Sequence, residues 1–221
     1  MDYQHRFSDG QICELPNGKI VCVGRNYAEH ARELNNPIPK QPLLFIKPST
    51  ALASLEKPLR IPHDRGECHH ELELALLIGK PLSNAKAEDA LSAVIAYGLA
   101  LDLTLRELQS QLKEKGQPWE RAKAFDGACP VSTFVPATEI DDWKKLSLQL
   151  RRNSAVQQQG NCRDMLFPIE ALLADISQNF TLLPGDIVLT GTPAGVGPLC
   201  AGDQLRCELG SLLAVDTHVS D

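Results

Sequence analysis

With 221 residues, 43% of them hydrophobic and 23% charged, the chain is long enough and ordinary enough in composition for one sizeable globular core. A formal net charge of −6 offers no basic face for nucleic acid or an anionic membrane, so a small molecule is the expected partner.

Residues 1–18 read as an N-terminal appendage to a core over 19–221, the whole forming a single domain. Lys19-Ile20-Val21-Cys22-Val23 reads as a buried strand ending at Gly24, and Asn26, with Glu29 three positions on, is expected to cap a helix running to Leu34. The Pro-rich stretch from Pro37 to Pro42 ends that helix, and Leu43-Leu44-Phe45-Ile46 is a short strand stopped by Lys47-Pro48. His69 to Ile78 alternates like a strand, which puts His69, Glu71 and Glu73 on one face and Leu72 and Leu74 on the other. Ala87 to Ser92 suits a short helix. Val94 to Thr104 suits a strand interrupted by Asp102, and the capping box Thr104-Leu105-Arg106-Glu107 is expected to open a second long helix straight after it. Leu146 to Gln159 reads as two strands about a turn at Asn153-Ser154, Pro168 to Phe180 as an amphipathic helix, Ile187 to Thr190 as a strand, and Gln204 to Val219 as a hairpin turning near Gly210. Strands outnumber separated helices, so the expected class is β-rich α+β.

Seven cysteines, an odd number with no Cys-x-x-Cys pair, read as reduced. The start, Met1-Asp2-Tyr3-Gln4-His5-Arg6, carries no apolar signal core, and no apolar run is long enough to span a membrane, so a cytoplasmic location is expected.

Glu71, Glu73 and Asp102 stand in apolar runs where carboxylates are costly unless a cation pairs with them. Three oxygen ligands of this kind suit Mg²⁺, Mn²⁺ or Ca²⁺ over thiophilic metals and leave coordination positions for water and substrate. Glu71 and Glu73 on a solvated sheet face with Asp102 capping the following helix, or zinc among His63, Cys68, His69 and His70, are the rival readings; the second matches no standard zinc spacing. His30 and Glu33, three apart on the first helix, share a face and form a plausible imidazole–carboxylate base. Arg106 and Gln109 are three apart where the second long helix starts, a natural place to hold a carboxylate. Lys123 is a candidate cation beside developing negative charge. Thr190-Gly191-Thr192-Pro193-Ala194-Gly195 lacks the P-loop and dinucleotide patterns, so its amides and the Thr192 hydroxyl are expected to approach a small ligand instead.

Gly24-Arg25-Asn26-Tyr27 with His30 and Glu33, the His-x-Glu-x-Glu strand, Leu101-Asp102-Leu103-Thr104 with Arg106, Lys123-Ala124-Phe125-Asp126, and Thr190-Gly191-Thr192-Pro193 occur in that order. From about Lys19 onward the chain thereby resembles the fumarylacetoacetate hydrolase family, in particular its short acylpyruvase and oxaloacetate decarboxylase branch. The resemblance implies a mixed β-sandwich roll, usually a homodimer, with Glu71, Glu73 and Asp102 as Mg²⁺ or Mn²⁺ ligands. It also implies His30 and Glu33 as a water-activating dyad, Lys123 as a catalytic lysine, and Arg25, Lys47, Arg106, Gln109 and Thr192 as substrate-binding residues. The expected activity is C–C hydrolysis of acylpyruvates or decarboxylation of oxaloacetate. Tautomerisation of oxaloacetate, hydroxy-diene-dioate isomerisation and non-catalytic binding of oxo acids are the alternatives.

Overall fold

In the computed structural model, which describes residues 3–34 and 37–220, the alternating and apolar runs become a curled eight-stranded mixed sheet. Its hydrogen-bonded order is Leu43–Lys47, Ile20–Gly24, Ile187–Leu189, Leu72–Ile78, Val94–Leu101, Cys129–Val131 and Leu52–Ser54, with Val135–Pro136 also pairing onto Val94–Leu101. Ile20–Gly24 runs parallel to Ile187–Leu189, and Leu52–Ser54 parallel to Cys129–Val131; the other pairs are antiparallel. A four-stranded antiparallel sheet, Ala155–Asn161, Ser147–Arg152, Gln204–Leu209 and Leu213–His218, packs beside it. The expected β-rich architecture with few helices is what the chain adopts.

Both faces of Leu72–Ile78 are buried, and the period of two divides them. Leu72, Leu74, Leu76 and Ile78 join a large core with Leu148, Leu150, Leu172, Ile176 and Leu209. Ala75 and Leu77 point to a second core with Ile20, Cys22, Ala96, Ala100, Ala128 and Cys129. Small side chains on that inner face let the sheet curl closely upon itself. Tyr3, Phe7 and Leu15 pack on this second core, and His5, fully buried, hydrogen-bonds the Gly185 carbonyl at 3.2 Å, so the N-terminal segment is tied down. The cysteines are free thiols, all buried except Cys200.

Several local expectations need correction. The acidic strand is two strands broken at Glu71: Cys68–His70 belongs to a small three-stranded sheet, and Leu72–Ile78 to the large one. Neither expected capping box forms. The first helix spans Ala28–Glu33 with Tyr27 at its N-cap, because the buried Asn26 amide bridges the Thr190 carbonyl (2.8 Å) and the Phe167 amide (2.7 Å) instead. The second spans Arg106–Glu114, one residue later than expected, because Thr104 lies in a short strand and its hydroxyl donates to the Asp102 carbonyl at 3.0 Å. The Asn153-Ser154 turn does form a two-residue hairpin, with φ of 51° and 70°. Asn153 supports that left-handed turn by donating to Asp203 (2.7 Å) and accepting from the Gln204 amide (2.9 Å). No helix among the described residues is long and apolar enough to cross a membrane.

Candidate active site

Strand register brings the acids together. Glu73 lies opposite Ala100, and the Asp102 amide donates to the Glu71 carbonyl at 2.8 Å just beyond the paired segment. Residues two apart on a strand share a face, so Glu71, Glu73 and Asp102 converge on one patch. All three are buried, and one ligand oxygen from each lies within 4.8 Å of the others. This is the single cluster of three or more potential metal ligands among the described residues. The zinc reading does not survive: His69 pairs with Glu67 at 3.2 Å, and His70 is locked to Gln158 at 2.9 Å.

Three cations face the three acids. Lys123 Nζ lies 2.9 Å from Glu71 and 2.6 Å from Asp102, and Arg106 pairs with Glu71 while donating to Gln109 at 2.9 Å. Lys47 lies 2.8 Å from the other Asp102 oxygen. Burial alone would raise the Glu71 carboxyl, but Lys123 and Arg106 outweigh it and hold it well below the usual carboxylate range. Glu73 differs. Its hydrogen-bond partner is the Gly191 amide at 2.6 Å, and burial, followed by its neighbours Asp102 and Glu71, pushes its carboxyl well up. A buried carboxylate without a cation against it, beside two others, fits a site completed by a divalent ion.

The acids form one wall of a pocket whose lining also includes Gly24, Arg25, His30, Phe45, Gln109, Lys113, Trp119 and Thr192. Arg25 stands there in the left-handed region at φ 61°, an uncommon conformation for a side chain of its size. Of the expected substrate ligands, Arg25, Arg106, Gln109 and Thr192 reach this pocket. Lys47 does not. It is fully buried behind Asp102, and its ammonium is otherwise spent on the carbonyls of Lys123, Ala128 (3.0 Å) and Leu103 (3.4 Å). Its geometry is that of a positioning cation for Asp102.

His30 Nδ1 lies 3.3 Å from Glu33, whose carboxylate also accepts the Gly195 amide at 3.0 and 3.2 Å. A neutral imidazole so placed carries its proton on Nδ1, leaving Nε2 as the acceptor.

The Gly-rich loop performs a different task from the one expected. Gly191, at φ 95°, gives its amide to Glu73, and Gly195, at φ 97°, gives its amide to Glu33. One loop therefore fixes an acid of the cluster and the carboxylate of the dyad. A Cβ at Gly195 would strike the Gln157 carbonyl, which is why that position needs glycine. The Thr192 hydroxyl is committed as well. Gln158 accepts the Leu72 amide (2.9 Å) at Oε1, which orients its Nε2 to donate to Thr192 Oγ1 at 2.7 Å. The hydroxyl hydrogen then goes to the Leu72 carbonyl at 2.8 Å, so Thr192 has no side-chain donor left for a ligand.

Two residues at the site escaped the sequence reading. Lys113 was legible: Arg106, Gln109 and Lys113 are spaced i, i+3, i+7 along one helix face. Gln158 was not, because no local pattern connects it with residues 34 to 88 positions away.

Comparison with known proteins shows the family. The family model described as fumarylacetoacetate (FAA) hydrolase C-terminal matches residues 19–220. The oxaloacetate tautomerase YcgM of Escherichia coli (strain K12) is 52% identical over 204 residues, 92% of this chain and 93% of that protein. A mitochondrial oxaloacetate decarboxylase of Dictyostelium discoideum is 42% identical over 195 residues, covering 88% and 89% of the two. Among solved structures, fumarylpyruvate hydrolase from Pseudomonas aeruginosa, in complex with Mn²⁺ and pyruvate, superposes with a TM-score of 0.93 at 31% identity over 99% of this chain and 95% of that one. The chain belongs to the fumarylacetoacetate hydrolase family.

Proposed function

We propose that this member of the fumarylacetoacetate hydrolase family is a divalent-metal-dependent enzyme of small 2-oxo acids, and that keto–enol tautomerisation of oxaloacetate is its foremost reaction. The observation that carries the reading is the convergence of Glu71, Glu73 and Asp102 in the pocket that His30 and Arg106 also line. Of the activities the sequence left open, tautomerisation moves to first place because the tautomerase relative is 52% identical across 92% of the chain.

Glu71, Glu73 and Asp102 would hold Mg²⁺ or Mn²⁺, and the bound ion would supply Lewis-acid polarisation of the 2-oxo and adjoining carboxylate oxygens. With an ion bound and all three acids ionised, Lys47, Lys123 and Arg106 would offset the acids and the ion's own charge would leave the site positive, which suits an anionic substrate. Arg106 and Gln109 orient the 2-oxo carboxylate from the start of their helix. His30 Nε2 removes a proton from the carbon next to the ketone, and Glu33 stabilises the imidazolium through Nδ1. Lys123 is a fixed donor beside the oxygen on which charge develops, and the proton taken up by His30 passes to that oxygen through a solvent water, which completes the enol and returns His30 to its neutral form. The same pocket runs the exchange in reverse.

Hydrolysis of acylpyruvates is the second reading. Glu33 is exposed, so water reaches the dyad, and the Pseudomonas structure is that of a fumarylpyruvate hydrolase. A Mg²⁺-dependent panel of enol and keto oxaloacetate, acylpyruvates and fumarylpyruvate decides between them. Loss of enol absorbance should be accelerated most. Cleavage of an acylpyruvate with no effect on oxaloacetate enol would hand the site to the hydrolytic reading.

A further inference from the structure

The helix that carries Arg106 and Gln109 carries Lys113 two turns further along the same face. Lys113 lines the pocket together with Trp119, and its ammonium lies 4.9 Å from the centre of the Trp119 ring, a cation–π seat that aims it and partly removes it from water. Among the described residues, the ion pairs at the acid cluster are Lys47–Asp102, Lys123–Glu71, Lys123–Asp102 and Arg106–Glu71, and His30 pairs with Glu33; Lys113 and Arg25 enter none of them. Burial, and then the nearby charges of Arg25, Arg106 and Lys123, pull the Lys113 pKa down to about 8, with Glu71 acting weakly the other way. A half-buried cation held among other cations has a place for an anion that the protein itself does not fill.

Resting on the reading of the pocket as a 2-oxo acid site, we infer that Lys113, facing Arg25, selects substrates with a second carboxylate at the end remote from the acid cluster. The ligand class is a dianionic 2-oxo dicarboxylate, in preference to an analogue whose far end is uncharged. Arg106 and Gln109 take the near carboxylate, and Lys113 takes the far one. Lys113 is thus a specificity residue and has no part in moving the proton.

The test compares oxaloacetate with its 4-ethyl ester, whose far end is uncharged, on wild type, Lys113→Met and Lys113→Arg, so that the ester's own bulk and reactivity cancel in the ratio between variants. Steady-state kinetics and calorimetric titration are both run in saturating Mg²⁺. Methionine keeps the contact with Trp119 and loses the charge. The wild-type preference for the acid over the ester should fall about tenfold or more in Lys113→Met, mostly through KM, and Lys113→Arg should restore most of it. Thermal unfolding of each variant reads any purely structural part. An unchanged acid-to-ester ratio, or equal losses on both compounds, would overturn the inference. If wild type turned over neither compound, the activity reading would fail by itself. The ratio of the two dissociation constants would still decide for or against Lys113.

Discussion

The two walls of the pocket are built differently. On the acid wall, Glu71, Glu73 and Asp102 come from paired strands, and every neighbouring cation is engaged; Lys47, Lys123 and Asp102 are all but inaccessible to solvent. On the opposite wall, the His30–Glu33 dyad sits on a helix of six residues, Glu33 is exposed, and Arg25 and Lys113 keep their charges free of partners among the described residues. The first wall is fixed by register and burial, so it can hold an ion in one geometry. The second has charge in reserve, so it can respond to a substrate. The Gly191–Gly195 loop joins them by one amide on each side.

Removal of an acid tests the first wall most severely. Glu73→Gln keeps the shape and the Gly191 contact but removes a ligand charge, and activity should fall on the order of a thousandfold, since a bound ion supplies several kcal/mol of transition-state stabilisation. Calorimetric Mg²⁺ or Mn²⁺ titration should show matching loss of affinity, and chelator should silence the wild type. Full activity in excess chelator would break the comparison at its root.

Lys47→Met probes whether this wall is held by burial. Asp102 would keep Lys123 but lose the cation at its other oxygen, a breakage that costs about 3–5 kcal/mol for a fully buried pair. Urea unfolding should register that loss. A stability change under 1 kcal/mol, with substrate KM raised, would return Lys47 to the substrate-binding role that the family resemblance implies.

On the second wall, His30→Ala should lower tautomerisation about a hundredfold while leaving Mg²⁺ affinity nearly unchanged. Decarboxylation needs no proton removed from carbon, so it should suffer much less. Equal losses on both reactions would make His30 a structural residue.

The asymmetry also explains what the sequence could tell. The acids were legible because a period of two puts Glu71 and Glu73 on one face, and an acid inside Ala100-Leu101-Asp102-Leu103 is conspicuous. The large strands and the Ile169–Asn179 helix were legible for the same reason: their apolar pattern is local. The capping boxes misled because the Asn26 amide found tertiary partners, while Thr104 was drawn into a strand against His69 with its hydroxyl turned back to the Asp102 carbonyl. Lys47 beneath Asp102 and Gln158 behind Thr192 depend on contacts 34 to 88 residues apart, which no window of sequence contains.

Where the walls meet, Thr192 gives the smallest and most discriminating effect. Its hydroxyl accepts from Gln158 and donates to the Leu72 carbonyl, so it has nothing to donate to substrate. Thr192→Ser preserves both bonds and should leave kinetics within about threefold of wild type. Thr192→Val keeps the volume but leaves a Gln158 hydrogen without its acceptor, although the amide retains Pro193 at 2.9 Å, so stability should fall by about 1–3 kcal/mol. Because Leu72 stands between Glu71 and Glu73, part of that loss should appear as weaker metal affinity and part as lower kcat. A valine variant of native stability and unchanged metal affinity, but with a raised KM, would mean that the hydroxyl leaves Leu72 to bind the substrate. That outcome would move Thr192 from the fixed wall to the responsive one.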